Sequence, residues 1–197
     1  MKSSLGRRSF AESLPIKTIS LKRSLLTMPT LIIFSGLPGS GKTTLSRKLA
    51  GHLSAVHLRI DTIEQGLRDL CGMEVEGEGY RLAYKIATDN LLAGLDVIAD
   101  SCNTLELTRR EWVGVAILSG VEFINVEVRC SDAAEHRQRV ESRASDIPNL
   151  KLPTWERVQN REYEDWSRER LIIETAGRSE RDCLDSLLAA LNLPISE

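Results

Sequence analysis

The sequence predicts an α/β domain of three layers, with helices on both faces of a parallel sheet. Short apolar runs alternate with longer segments of helical periodicity. Parallel strands follow, because each return crossing has to be made by a helix. A third observation is a glycine cluster set between the first apolar run and the first helical segment. In open sheets of this kind ligands bind beyond the carboxyl ends of the strands, where that cluster lies.

The elements justify this one by one. "TLIIFS" (Thr30–Ser35) reads as a fully buried strand, and "TTLSRKLAGHL" carries apolar residues at helical spacing. "AVHLRID" (Ala55–Asp61) is a second strand ending on a carboxylate. "IEQGLRDLC" reads as a short helix, and Gly72–Gly79 as a glycine- and acid-rich loop. "YRLAYKIATDNLLAGL" is a helix closing at Gly94, and "DVIAD" (Asp96–Asp100) a third strand ending on a carboxylate.

The helix "LELTRREWVGVAILSG" closes at Gly120, and "VEFINVEVRC" (Val121–Cys130) alternates as a strand. Ser131 is expected to cap the arginine-dense helix "DAAEHRQRVESRAS". The two prolines of "DIPNLKLPTW" dictate a loop, followed by the polar helix "ERVQNREYEDW". "RLIIETAG" (Arg170–Gly177) is the fifth strand and "RDCLDSLLAALNL" the closing helix.

At 197 residues, with 42% hydrophobic and 27% charged content, the chain suits one soluble domain with a sizeable core. Residues 30–197 are expected to form it. Up to Thr30 six basic residues face Glu12 alone, a net +5, so the remainder carries −7 of the total −2. Residues 1–29 therefore read as a poorly ordered basic extension, either a transit-type leader or a mobile arm, unless Met28 opens the native chain. The mildly acidic body argues against nucleic acid as the main partner. Cys71, Cys102, Cys130 and Cys183 have no paired spacing, which favours a reducing, cytoplasmic setting. The apolar runs fall far short of a membrane span.

Gly36-Leu37-Pro38-Gly39-Ser40-Gly41-Lys42-Thr43 matches G-x-x-x-x-G-K-[ST] in full. Its glycines free the backbone to curl round a phosphate. The N–H groups then form an anion nest at the positive end of the following helix. Lys42 would meet the β/γ-phosphates, Thr43 would offer its hydroxyl to Mg2+, and Thr44 completes the turn. Asp100 is the candidate second carboxylate of the metal site, with Ser101 and Asn103 as possible substrate contacts. Asp61 is placed to accept a proton from an acceptor hydroxyl, and Arg59 and Arg68 could bind substrate or pair with surface acids. Arg137, Arg139 and Arg143 crowd one helix before the proline loop, so residues 137–153 read as a lid whose arginines offset charge on the transferring group. His136 reads as a surface residue among these charges. His52 and His57 read as too isolated for a metal site, and Tyr84 as a weak pocket candidate.

With these residues in place the chain resembles the P-loop kinases often described as AAA-type ATP-binding proteins. Relatives of that kind include chloramphenicol phosphotransferase, gluconate kinase, zeta toxin and the polynucleotide 5′-kinase domain. The resemblance runs from about Thr30 to the C-terminus. It is carried by "GLPGSGKTT", Asp61, "VIADSCN", "CSDAAEHRQRVESR", "LKLPTWERVQNREYEDW" and "LIIETAG". It implies a P-loop NTPase fold with five parallel strands in the order 2-3-1-4-5 and a small lid. It also implies adenine held near Ala176, Gly177 and Arg178, with ATP and Mg2+ as cofactors. Relatives acting on a 5′-hydroxyl end place an arginine three residues after the strand-two aspartate. Glu64 stands there, which argues against phosphate-bearing or polynucleotide acceptors.

The expected function is transfer of the γ-phosphate of ATP to a hydroxyl of a small molecule. The alternatives are an ATP-binding switch module signalling to a protein partner and, third, a polynucleotide 5′-hydroxyl kinase.

Overall fold

A computed structural model describes residues 28–195. The expectation for the basic N-terminal extension falls almost wholly on residues 1–27, outside the described residues. Five strands, β1 (Thr30–Ser35), β2 (Val56–Arg59), β3 (Val97–Asp100), β4 (Glu122–Arg129) and β5 (Leu171–Glu174), form one sheet in the order β2-β3-β1-β4-β5. All four pairings are parallel, with Leu31 opposite Val97 and Thr30 opposite Glu122 on either side of β1. Both the three-layer architecture and the expected strand order are therefore present.

The alternation of β1 divides the core in two. Leu31 and Ile33 join a cluster with Trp112, Ala83 and Ala87. That cluster is packed by α2 (Ile60–Cys71), α3 (Glu78–Leu92) and α4 (Glu106–Ser119). Ile32 and Phe34 face the other way, onto Leu45 and Leu49 of α1 (Lys42–Leu53) and Leu187 of α7 (Glu180–Ala190). Every residue of β1 is buried, as a central strand covered on both faces requires. Tyr84 belongs to this interior. Its ring meets Trp112 edge-on at 4.7 Å, so it serves the core and not a pocket.

Of the boundaries that differ from expectation, three bear most on the rim. β2 stops at Arg59, and Ile60 and Asp61 form the first turn of α2, so Asp61 ends no strand. The N-cap of α5 (Ala133–Ser142) is Asp132, whose carboxylate accepts from the N–H groups of Ala134 and Glu135. Ser131 thus lies one residue too early to cap. In addition α5 ends at Ser142, which leaves Arg143 beyond the helix. α6 covers only Trp155–Gln159 under the Thr154 cap, and residues 160–170 leave the helix. A buried arginine organises that segment: Arg109 of α4 donates to the carbonyls of Asn103, Thr104, Glu164 and Asp165, and lies 4.2 Å from the Trp166 ring centre. Among the described residues no helix is long and apolar enough to cross a membrane.

Candidate active site

The carboxyl ends of the five strands share one rim, and the P-loop arches over its centre. Gly36 leaves β1 with φ 139°, and its N–H donates to the Cys102 carbonyl at 3.0 Å. A Cβ there would stand 2.3 Å from the Val128 carbonyl oxygen, so only glycine lets the loop pass this close to β4. Gly41, at φ 96°, takes the N-cap position of α1, which aims the first-turn N–H groups of Lys42 and Thr43 at the arch.

His136 holds the loop from outside. It is 6% exposed, its Nε2–H donates to the Pro38 carbonyl at 2.8 Å, and its ring meets Trp155 edge-on. The expectation of a surface histidine is corrected: α5 turns His136 and Val140, one helical turn apart, towards the loop. That i, i+4 pairing with a valine was the available sequence signal.

Asp100 ends β3 at 2% exposure, with Oδ2 3.4 Å from His57 Nε2 and no hydrogen bond to that oxygen. Burial works to raise its pKa, yet His57, Lys42 and Thr43 outweigh it and hold the carboxyl below its ordinary range. His57 Nε2 also sits 3.0 Å from Ser46 Oγ, which donates to the Thr43 carbonyl. His57 is therefore a positioning residue behind Asp100. A buried, ionised carboxylate oxygen without a donor, close to the Thr43 hydroxyl, fits the oxygen-only donor set that Mg2+ prefers. Asn103, by contrast, is spent on structure, donating to the Phe34 carbonyl at 2.9 Å.

Two clefts flank the loop. One, of about 410 Å³, is lined by Gly39, Lys42, Thr44, Arg139 and Arg178, among others. The other, of about 500 Å³, is lined by Asp61, Glu64, Arg59, Arg68 and the 149–153 loop. Lys42, Thr43 and Arg143 belong to both walls. Asp61 is exposed in the second cleft. Arg143 is half-buried, its Nε lacks any hydrogen bond, and desolvation pulls its pKa down.

The remaining arginines divide. Arg139 donates to Thr175 Oγ1 and to the Thr175 carbonyl and pairs with Glu135, so it borders the first cleft while fastening α5 to the loop after β5. Arg137 pairs with Glu141 on the outer face and lines neither cleft. Arg178 lines the first cleft and is fixed by the Glu174 carbonyl and Ser186. Ala176 and Gly177 lie just outside that wall, bonded through their N–H groups to Glu174 and Glu135. Thr175 went unnoticed in the sequence. It is 4% exposed, and its hydroxyl lies within bonding distance of the Ser40 and Arg129 carbonyls while accepting from Arg139. One buried hydroxyl thus joins the P-loop, β4 and α5, and a single threonine after a strand carries no spacing that would mark it.

A family model described as an AAA domain, AAA_33, matches residues 31–165. Over 72 residues the chain is 39% identical to a candidate adenylate kinase of Pyrococcus furiosus, a match that spans 36% of this chain and 39% of that protein. The chain therefore matches well under half the length of that curated relative. The fold is similar to the APS kinase CysC of Mycobacterium tuberculosis, solved with AMPPNP and APS, at a TM-score of 0.61 and 17% identity, over 84% of this chain and 98% of that one. A gluconokinase from Sinorhizobium meliloti 1021 gives 0.61 at 14% identity, over 84% and 93%. Kti12 of Chaetomium thermophilum, solved with ADP-AlF3, gives 0.59 at 22% identity, over 85% and 100%.

Proposed function

Since the chain belongs to the AAA_33 family of AAA domains, we propose that it is an ATP- and Mg2+-dependent kinase that phosphorylates a hydroxyl of a small molecule. One observation carries this reading. Two clefts of substrate size meet at Lys42, Thr43 and Arg143 and nowhere else in their walls. A nucleotide in the first and an acceptor in the second would bring their reacting atoms to that shared wall.

The P-loop N–H groups and Lys42 hold the β- and γ-phosphates. Thr43 and Asp100 are the residues that would hold Mg2+, which would offset the charge of the phosphates. Asp61, across the wall, orients the acceptor hydroxyl and takes its proton as the oxygen attacks the γ-phosphorus. The bond from that phosphorus to the β–γ bridging oxygen breaks, and ADP leaves. Arg143 stands where the charge moves, and its unpaired Nε is free to donate to the transferring group. Arg139 supports this arrangement by fixing α5, and Arg137 stays outside it.

The test is ADP release from Mg-ATP with and without pooled alcohols: sugars, nucleosides, aminoglycosides, aryl diols and oligonucleotides. Stimulation by one pool, reduced about 10²-fold or more by Asp61→Asn, is expected. Slow turnover that no pool alters, and that the variant shares, would replace the kinase with a nucleotide-dependent switch acting on a protein partner.

A further inference from the structure

The acceptor cleft has an unusual charge. Seven cationic residues line it against two acidic ones, Asp61 and Glu64, in a body whose net charge is negative. Three of the seven are accounted for. Lys42 serves the nucleotide phosphates, Arg59 is held by Asp146 at 2.8 Å, and Arg68 faces Glu64 at 3.3 Å. Arg143 belongs to the transferring group. Lys151, Arg157 and Arg161 remain, exposed, with no carboxylate partner among the described residues.

Glu64, whose position on sequence argued against anionic acceptors, does not cancel these charges. Its side chain is packed against Gly79, where a Cβ would stand 2.2 Å from Glu64 Cγ. Its charge is already answered by Arg68. Burial raises its pKa, while the hydrogen bond and charge of Arg68 work against that rise. Asp61 and the Arg68-paired Glu64, which also feels the charge of Arg161, are the two carboxylates set against three cations that have no ion-pair partner among the described residues.

We propose that the acceptor is a small phosphorylated alcohol, with a phosphomonoester gripped by Lys151, Arg157 and Arg161 and a hydroxyl presented to Asp61. The inference rests on the kinase reading for the hydroxyl, and on the cleft alone for the phosphoryl group. Chemistry selects the phosphomonoester. It carries close to two negative charges at neutral pH with three acceptor oxygens, a match for three donors of which two are arginine forks. The three cations lie within eleven consecutive residues, on the loop before α6, on α6 itself and just after it, facing α2 across the cavity. A cluster confined to one cavity of about 500 Å³ suits a compact molecule better than the continuous basic track a polynucleotide follows. The product is then an alcohol bearing two phosphates.

The experiment fills the nucleotide cleft with Mg-AMPPNP, so that the P-loop cannot take up the probe. Inorganic phosphate is then titrated calorimetrically into the full chain and into the double variant Lys151→Glu/Arg157→Glu. Phosphate binding in the wild type, weakened at least about tenfold in the variant with AMPPNP affinity retained within about twofold, is expected. Retained AMPPNP affinity also certifies that the variant is folded. No phosphate binding in the wild type, or binding indifferent to the two substitutions, overturns the proposal.

A second arm compares turnover of paired alcohols with and without a phosphomonoester, such as ribose and ribose 5-phosphate. Preference for the phosphorylated member, with a KM raised about tenfold by the double variant and kcat little changed, supports the assignment. Preference for the neutral member overturns it and leaves the kinase standing. Preference for an oligonucleotide 5′-hydroxyl also overturns it. Phosphate binding that the variant abolishes, without turnover of any alcohol, upholds the anion site and removes the kinase.

Discussion

At the scale of single residues the proposed metal site rests on one buried carboxylate. Asp100 is ionised against the pull of burial because Lys42, Thr43 and His57 surround it, and its Oδ2 is left without a donor. Asp100→Asn keeps the shape and removes the charge. The Mg2+ concentration for half-maximal turnover should rise about 10- to 100-fold, with metal-free ADP affinity little changed. An unchanged magnesium titration would take Asp100 out of the metal site. This residue was legible in the sequence because an apolar strand ending on aspartate is itself a pattern, and the P-loop was legible for the same reason. His136 and Thr175 were not. Their work lies in contacts between segments far apart in the chain, Pro38 with His136 and Ser40 with Thr175, and charged neighbours on α5 masked the inward turn of the histidine.

At the scale of elements, the segment between α5 and α6 is latched and not loose. Asp146 receives Arg47 of α1 at 2.7 Å and Arg59 of β2 at 2.8 Å, so the expected lid is tied to two elements of the body. Arg47 first, then Arg59, holds the Asp146 carboxyl at about 2, below its ordinary 3.8. A depressed folded-state pKa contributes stability above the ordinary value, and that contribution is lost as pH falls from about 4 towards 2. Half-exposed pairs of this kind are worth less than about 1 kcal/mol. The melting temperature of Asp146→Asn should therefore lie slightly below wild type at pH 6, with the gap closing towards pH 2. A gap that stays constant with pH would assign the difference to packing. Sequence patterns placed the proline-bearing loop after the arginine-dense helix but overran α6. The periodicity of "ERVQNREYEDW" could not reveal that Arg109, some fifty residues earlier, binds the carbonyls of Glu164 and Asp165.

At the scale of the whole molecule, Arg109 joins the rim to the sheet's flank. It is 1% exposed and satisfies four carbonyls from two loops, one of them directly following Asp100. Arg109→Met removes the donors and leaves those carbonyls buried without partners. A loss of about 3–5 kcal/mol is expected, read from urea unfolding. A loss below about 1 kcal/mol would mean that water replaces the guanidinium without difficulty. The sheet order was legible only through resemblance, because alternation fixes parallel strands but not which strands are neighbours. Registers such as Leu31 with Val97 follow from packing on both faces.

That register has a consequence during synthesis. Among the described strands β1 leaves the ribosome first, and both of its partners are made long after it, Val97 in β3 and Glu122 in β4. At translation rates of about 5–20 residues per second, the nascent Leu31–Phe34 run waits several seconds for a neighbour. Through that interval it is an apolar strand with two open edges, the kind of segment that chaperones capture and that aggregates when they do not. Among the described strands, the one that anchors the phosphate loop is thus also the one that waits longest for a neighbour.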